Sequence, residues 1–250
     1  TVVALVKAVA DGFRLGLEPA CQLFRCVCAI LPPQGEGLGQ LQFHRLPRSG
    51  QPPEQDAGAL IEVIDLFLVP HPDGPLQPLG EEGQGMEVAI HSLSVSRVHI
   101  ACSNLGMAQR MLEISLKRAA DRVTFGKPII KRQAIKMKIA NMQMMIHALR
   151  CLVYDFAQDF DIDQHNDYID EKAAIAKLFS IDTVRLVSDE MLEIFGGDGY
   201  FEDSPYGPTE RLYRDCRAMW LEEGAPTVQR ITIARECEKH GGKIEYLSAK

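Results

Sequence analysis

Residues 79–240 read as a mainly α fold, an antiparallel up-down helix bundle, preceded by an irregular or partly β N-terminal region. Three observations predict it. Apolar residues recur at helical spacing through three long segments and one shorter one. Glycine and proline mark the ends of those segments, where they stop or start a helix. The links are short, and short links fold successive helices back as antiparallel neighbours.

Between Ser94 and Asp121, the residues Val98, Leu105, Ala108, Leu112 and Ile114 fall at helical spacing. Phe125-Gly126-Lys127-Pro128 ends that helix, because proline cannot continue it. A second helix runs from about Ile130 to Asp159 on the face Ile135, Ile139, Met142, Ile146, Leu149, Val153 and Phe156. Met137, Met142, Met144 and Met145 read as core filling, since methionine adapts to irregular gaps. Asp159 to Asp170 reads as an acidic, solvated loop rather than a metal site. A third helix, from about Glu171 to Phe195, stops at Gly196-Gly197-Asp198-Gly199, whose glycines permit the left-handed turn that terminates it. Pro205 to Cys216 reads as a short helix and Pro226 to Lys239 as a final one, with proline in its first turn. Residues 241–250 are a tail.

Residues 1–78 have no assigned fold and read as the remnant of a β-domain. A linker rich in Pro, Gly, Gln and Arg occupies 31–58. Ala59 to Pro70 is apolar enough for a strand closed by its proline, and Val69 to Gly85 reads as turns.

The balance of 27 basic against 34 acidic residues, a net charge of −7, argues against a nucleic-acid partner, which would need a basic face. The seven cysteines (21, 26, 28, 102, 151, 216 and 237) show no paired C-x-x-C spacing and read as free thiols, so no metal is expected. No apolar run reaches the ~20 residues that span a bilayer. The apolar opening, Thr1 to Ile30, is broken by Lys7, Asp11, Arg14, Glu18 and Arg25, and fits neither a spanning helix nor a signal peptide.

Four segments carry residue types suited to chemistry. In Arg122-Val123-Thr124-Phe125-Gly126, followed by Gln133, an arginine fork, a hydroxyl and an aromatic suit a diphosphate and a ring. Equally, basic residues at a helix C-terminus complement its dipole. Phe195 to Tyr200 is a glycine-rich stop where backbone can approach a ligand. Arg211 to Arg217 sets three arginines around Asp215, a pattern that also suits a surface ion network. Glu222-Glu223-Gly224-Ala225-Pro226 places a carboxylate pair ahead of a glycine and a helix start. Such a carboxylate either favours a helix N-terminus or, held by a turn and partly desolvated, serves as a base.

In order, these segments resemble the acyl-CoA dehydrogenase family. Its R-x-x-F-G-x-x-I-x-x-x-Q, G-G-x-G-[YF], R-D-x-[RK] and E-G-T motifs correspond to Arg122–Gln133, Gly196–Tyr200, Arg214–Arg217 and Glu223-Gly224-Ala225. Leu79 to Arg97 resembles the family's entry from β-domain to bundle, and the likeness extends to about Cys237.

The resemblance implies FAD and an acyl-CoA substrate, with Glu223 taking the α-proton while hydride leaves the β-carbon. Some members place the base at the position of Ser96 here, which leaves Glu223. Arg122, Thr124, Phe125, Gln133, Glu193 and Gly197 are then the flavin contacts, with Arg122 and Gln133 reaching the cofactor of a neighbouring subunit. Arg97 and Gly224 lie at the substrate. A homodimer or homotetramer is implied. The electron acceptor, an electron-transfer flavoprotein or oxygen, leaves no mark in the residues. Neither does the choice between a mitochondrial and a bacterial cytoplasmic setting.

Glu193 stands where the family usually has glutamine beside the diphosphate, Ala225 where it has threonine, and Thr227 where glutamine is common. Residues 1–70 match neither of the family's other domains. Two classes therefore stay open: an active flavin dehydrogenase, and a helical oligomerisation or binding module that kept the bundle without turnover.

Overall fold

The computed structural model describes residues 67–71, 74–79 and 85–245. The 31–58 linker, the apolar stretch before Phe67, three of the cysteines and the last five residues lie outside these. Strand β1 (Phe67–His71) pairs antiparallel with β2 (Gly74–Leu79), with Phe67 opposite Leu79 and a register irregularity between Val69 and His71. The stretch expected to be turns therefore holds a second strand. Both strands of a two-stranded ribbon are edges, so prolines that lack an N–H are tolerated there.

The rest is helical, as expected. Helix α1 (Gly85–Asp121) is followed by a small hairpin, β3 (Val123–Thr124) with β4 (Lys127–Pro128), and a 3₁₀ turn at Ile129–Lys131. Then come α2 (Gln133–Ile162), α3 (Ile169–Phe195), a 3₁₀ turn at Gly196–Gly199, α4 (Thr209–Ala218) and α5 (Pro226–Lys239). Helix α3 packs against α2, α4 and α5.

The predicted face of α1 is buried, but the burial goes further: every residue from Ser94 to Ala108 is buried. A helix enclosed on all sides must satisfy its polar groups internally. Ser103 donates to the His99 carbonyl at 2.9 Å, Ser115 to the Met111 carbonyl at 2.6 Å, and Asn104 Nδ2 to Ser180 Oγ at 2.8 Å across to α3.

On α2, Met142, Ile146, Leu149, Val153 and Phe156 form the core stripe, and the Phe156 and Phe160 rings stack at 5.6 Å. Ile135 and Ile139 are only half-buried. Two of the four methionines read as core filling are not: Met137 and Met144 are 59% and 61% exposed. They lie two positions off the core stripe, about 200° round the helix.

Asp159 also departs from expectation. It belongs to α2 rather than to the following loop, is fully buried, and pairs with Lys172 of α3, which also meets Asp155 at 3.1 Å. Arg211 and Arg214 bridge to Asp215 and Glu210, an ordinary helix-surface network, while the Arg217 guanidinium lies 4.0 Å from the Trp220 ring centroid.

Among the described residues Cys151, Cys216 and Cys237 are free thiols, no group of acidic, His or Cys residues is arranged to hold a metal, and no helix is long and apolar enough to cross a membrane.

His99 gives a pH-dependent stability. Its ring is buried, Nδ1 has no hydrogen-bond partner, and burial pushes its pKa down from 6.5 to about 4. Between pH 6.5 and 4 the unfolded chain binds a proton that the folded one refuses, so stability falls with pH through that window. The share expected from His99 between pH 7 and 5 is about 2 kcal/mol. Thermal melts of wild type and His99→Phe at those two pH values measure it, and an unchanged pH dependence in the variant excludes it.

Candidate active site

Helix α4 ends at Ala218 and α5 begins at Pro226, and the backbone between them turns sharply through two left-handed residues, Glu223 (φ +54°) and Gly224 (φ +93°). The second suits glycine: a Cβ there would lie 2.6 Å from Gln229 Nε2. The first is a carboxylate in a conformation that L-residues avoid at a cost of about 1–2 kcal/mol, so the surroundings must hold it.

They do. Gln229 Nε2, in the first turn of α5, donates to the Glu223 carbonyl at 2.8 Å and to the Gly224 carbonyl at 3.2 Å. Lys177 Nζ, from the core of α3, donates to the Gly224 and Trp220 carbonyls at 2.9 and 3.2 Å. The Glu223 side chain is half-buried, and Ser96 Oγ of α1 donates to its Oε2 at 2.8 Å. Arg97, one residue on, is buried and feels the negative charges of Asp170 and Glu223. Its Nε is buried without a hydrogen-bond partner. Three helices, α1, α3 and α5, thus converge on the turn of a carboxylate beside a buried guanidinium that has an unused donor.

The second set lies elsewhere. Phe125 (φ +48°) is 94% exposed at the tip of the β3–β4 hairpin, with the Arg132 guanidinium 5.3 Å from its ring centroid. Arg132 also donates to the Thr124 carbonyl at 2.6 Å and to its hydroxyl oxygen at 3.0 Å. Arg122 and Gln133 are exposed on the same segment. Gly197 is exposed in the turn after α3, and Arg118, in the last turn of α1, pairs with Asp198 of that turn. The hairpin and the glycine turn therefore share one end of the bundle.

Glu193 pairs with Lys138, which also bridges to Glu190 at 2.5 Å; these hydrogen bonds, Glu190 first, raise the Lys138 ammonium above its ordinary pKa. These residues border a groove of about 410 Å³ lined also by Asp182, Arg185 and Asp189. So charged a lining suits no acyl chain.

Ser96 and Arg118 lie on α1 roughly 33 Å apart, at ~1.5 Å per residue. The structure joins Glu223, Gly224, Arg97 and Ser96 in one place and Arg122, Thr124, Phe125, Gln133 and Gly197 in another, and does not bring the two together within one chain. Lys177 and Gln229 escaped the motif reading. The one legible signal was a lysine on the core face of α3 in line with Ala173, Ser180 and Val184.

An all-α bundle that presents a carboxylate on a strained turn between its last two helices defines a family. Residues 83–237 match the family model for the acyl-CoA dehydrogenase C-terminal domain, and the chain belongs to that family. It is 38% identical over 156 residues to the 3-(aryl)acrylate reductase of Clostridium sporogenes, covering 62% of this chain and 40% of that protein. It is 36% identical over 156 residues to the mitochondrial short-chain specific acyl-CoA dehydrogenase of Homo sapiens, covering 62% and 36%. Butyryl-CoA dehydrogenase from Megasphaera elsdenii superposes with a TM-score of 0.59 at 36% identity, covering 63% of this chain and 40% of that one. The matched part thus spans about two-fifths of the length of these relatives.

Proposed function

We propose that this chain serves FAD-dependent α,β-dehydrogenation of an acyl-CoA thioester, with Glu223 as the base that takes the α-proton. The observation that carries the reading is the held geometry of Glu223: half-buried, on a left-handed residue fixed by two side-chain donors, with Ser96 on its carboxylate. An α-proton is a poor acid, so its removal needs stabilisation of the negative charge that gathers on the thioester oxygen. The backbone N–H of Glu223 is the expected donor there. Arg97, with its buried and unpartnered Nε, supplies a fixed positive charge at the substrate. Ser96 holds one carboxylate oxygen and leaves the other for the proton.

The chemistry FAD supplies when bound is acceptance of the hydride that leaves the β-carbon. The residues at the other end of the bundle fit that cofactor. The arginine, the glutamine and the threonine are donors for a diphosphate, the exposed aromatic ring offers a face for a ring, and Gly197 has open space where a Cβ would be. The Glu193 carboxylate, which alone would repel a phosphate, shares the Lys138 ammonium with Glu190, so its charge is offset only in part. Arg122, Thr124, Phe125, Gln133, Glu193 and Gly197 would therefore hold the flavin.

This set and Glu223 lie toward opposite ends of α1, whose Ser96 and Arg118 are roughly 33 Å apart. In the reading proposed, each end serves a different cofactor, within a homodimer or homotetramer. The electrons then pass to an external acceptor, an electron-transfer flavoprotein or oxygen.

The test is an absorption spectrum of the full chain with added FAD, before and after anaerobic addition of acyl-CoA substrates of graded length. A flavin band that bleaches with acyl-CoA supports the dehydrogenase. A colourless protein that takes up no FAD identifies the alternative, a helical module without turnover.

A further inference from the structure

Lys177 is a charged side chain that takes no part in the proton or hydride transfer above. It is fully buried, and no carboxylate forms an ion pair with it among the described residues. Burying an ammonium is expensive, and the usual compensation is a counter-ion at hydrogen-bond distance. Here the compensation comes from two backbone carbonyls, those of Trp220 and Gly224, on either side of Glu223. Without these donors the carbonyls would turn toward solvent, and the left-handed backbone at Glu223 would relax toward commoner conformations.

We propose that Lys177 is the positioning residue of the Glu223 turn, clamping the Trp220 and Gly224 carbonyls so that the carboxylate is held where the α-proton arrives. The aim of the base rests on the reading of Glu223 as base; the clamp itself does not. Gln229 grips the Glu223 and Gly224 carbonyls from α5, so the turn is held from two helices.

Burial lowers the Lys177 ammonium from 10.5 to about 8, against the opposing pull of Glu223 and Glu222; Arg97 pushes the same way as burial. Above pH 8 the charge-assisted bonds become weaker neutral ones. In the same window the unfolded chain keeps a proton that the folded chain has lost, so the Lys177 contribution to stability rises with pH between 8 and 10.5. The clamp thus predicts activity falling while this contribution to stability rises. A merely structural lysine would give no such opposition.

The experiment compares the full chain with Lys177→Met, which fills the same space without charge. Circular dichroism reports the bundle, hydrogen exchange the two bonded amides that flank the turn, Leu221 (to the Ala218 carbonyl) and Gln229 (to the Ala225 carbonyl), and stopped-flow bleaching by acyl-CoA the chemistry. The expected result is an intact bundle, exchange at Leu221 and Gln229 faster by roughly tenfold, and a rate constant for bleaching lower by about a hundredfold with little change in half-saturating acyl-CoA. The alkaline fall above pH 8 is lost in the variant. Should Lys177→Met fail to fold, the protection of Leu221 and Gln229 in wild type, corrected for intrinsic rates, decides: it drops on passing from pH 7 to 9. Unchanged protection at these two amides, in the variant or across that pH step, overturns the clamp. A wild-type chain that never bleaches removes Glu223 from its role, yet leaves the exchange measurement to decide on Lys177.

Discussion

Glu223→Gln keeps its flavin and loses its chemistry. The rate of flavin bleaching by acyl-CoA falls by about 10⁴, because an amide oxygen at neutral pH cannot take the α-proton and, among the described residues, no second carboxylate accepts from Ser96 in its place. The nearest polar neighbour on α1 is Ser96, a hydroxyl too weakly basic to substitute. The fold should not notice the change. Glutamine is nearly isosteric, its side-chain oxygen still accepts from Ser96, and the Lys177 and Gln229 bonds to the turn are made by backbone carbonyls. Flavin affinity stays the same because the donor set of residues 122–133 lies at the far end of α1. Anaerobic stopped-flow with wild type as control measures the loss. Bleaching at the wild-type rate in Glu223→Gln would end the assignment of the base.

The largest expected effect on stability is at Lys172. Truncation in Lys172→Ala takes the cation from Asp159, a fully buried carboxylate, and from the partly exposed Asp155. Breaking a buried pair from one side costs about 3–5 kcal/mol, since the remaining carboxylate loses its cation in a low-dielectric interior. Replacing both partners with apolar groups, as in Lys172→Met with Asp159→Leu, should recover most of that loss. Urea denaturation of the two variants reads both numbers. A single-variant loss below about 1 kcal/mol would mean that the pair behaves as an exposed one.

Helix type and order were legible from periodicity alone, since Val98, Leu105, Ala108 and Leu112 on α1 and Met142 to Phe156 on α2 repeat at the helical interval and are buried. The stop at Gly196 (φ +62°) and the start at Pro226 were equally readable, because each depends on the backbone freedom of one residue. What periodicity cannot carry is how many sides of a helix are covered. Helix α1 is enclosed from Ser94 to Ala108, Met137 and Met144 face outward, and Asp159 turns inward to a lysine thirteen residues on. Each depends on a neighbouring element, which a local pattern does not encode.

For the site, the sequence by itself determined which residue types are present: the carboxylate ahead of glycine and proline, the Arg-x-Thr-Phe-Gly hairpin, and through them the family. Only the tertiary structure decided that Ser96 and Arg97, more than a hundred positions away, stand beside Glu223, that Lys177 and Gln229 grip the turn, and that the hairpin of residues 123–128 lies at the opposite end of α1. The physical reason is that a strained turn and a half-buried carboxylate are not local properties. They persist because donors from other helices hold them, and such donors are brought together by packing.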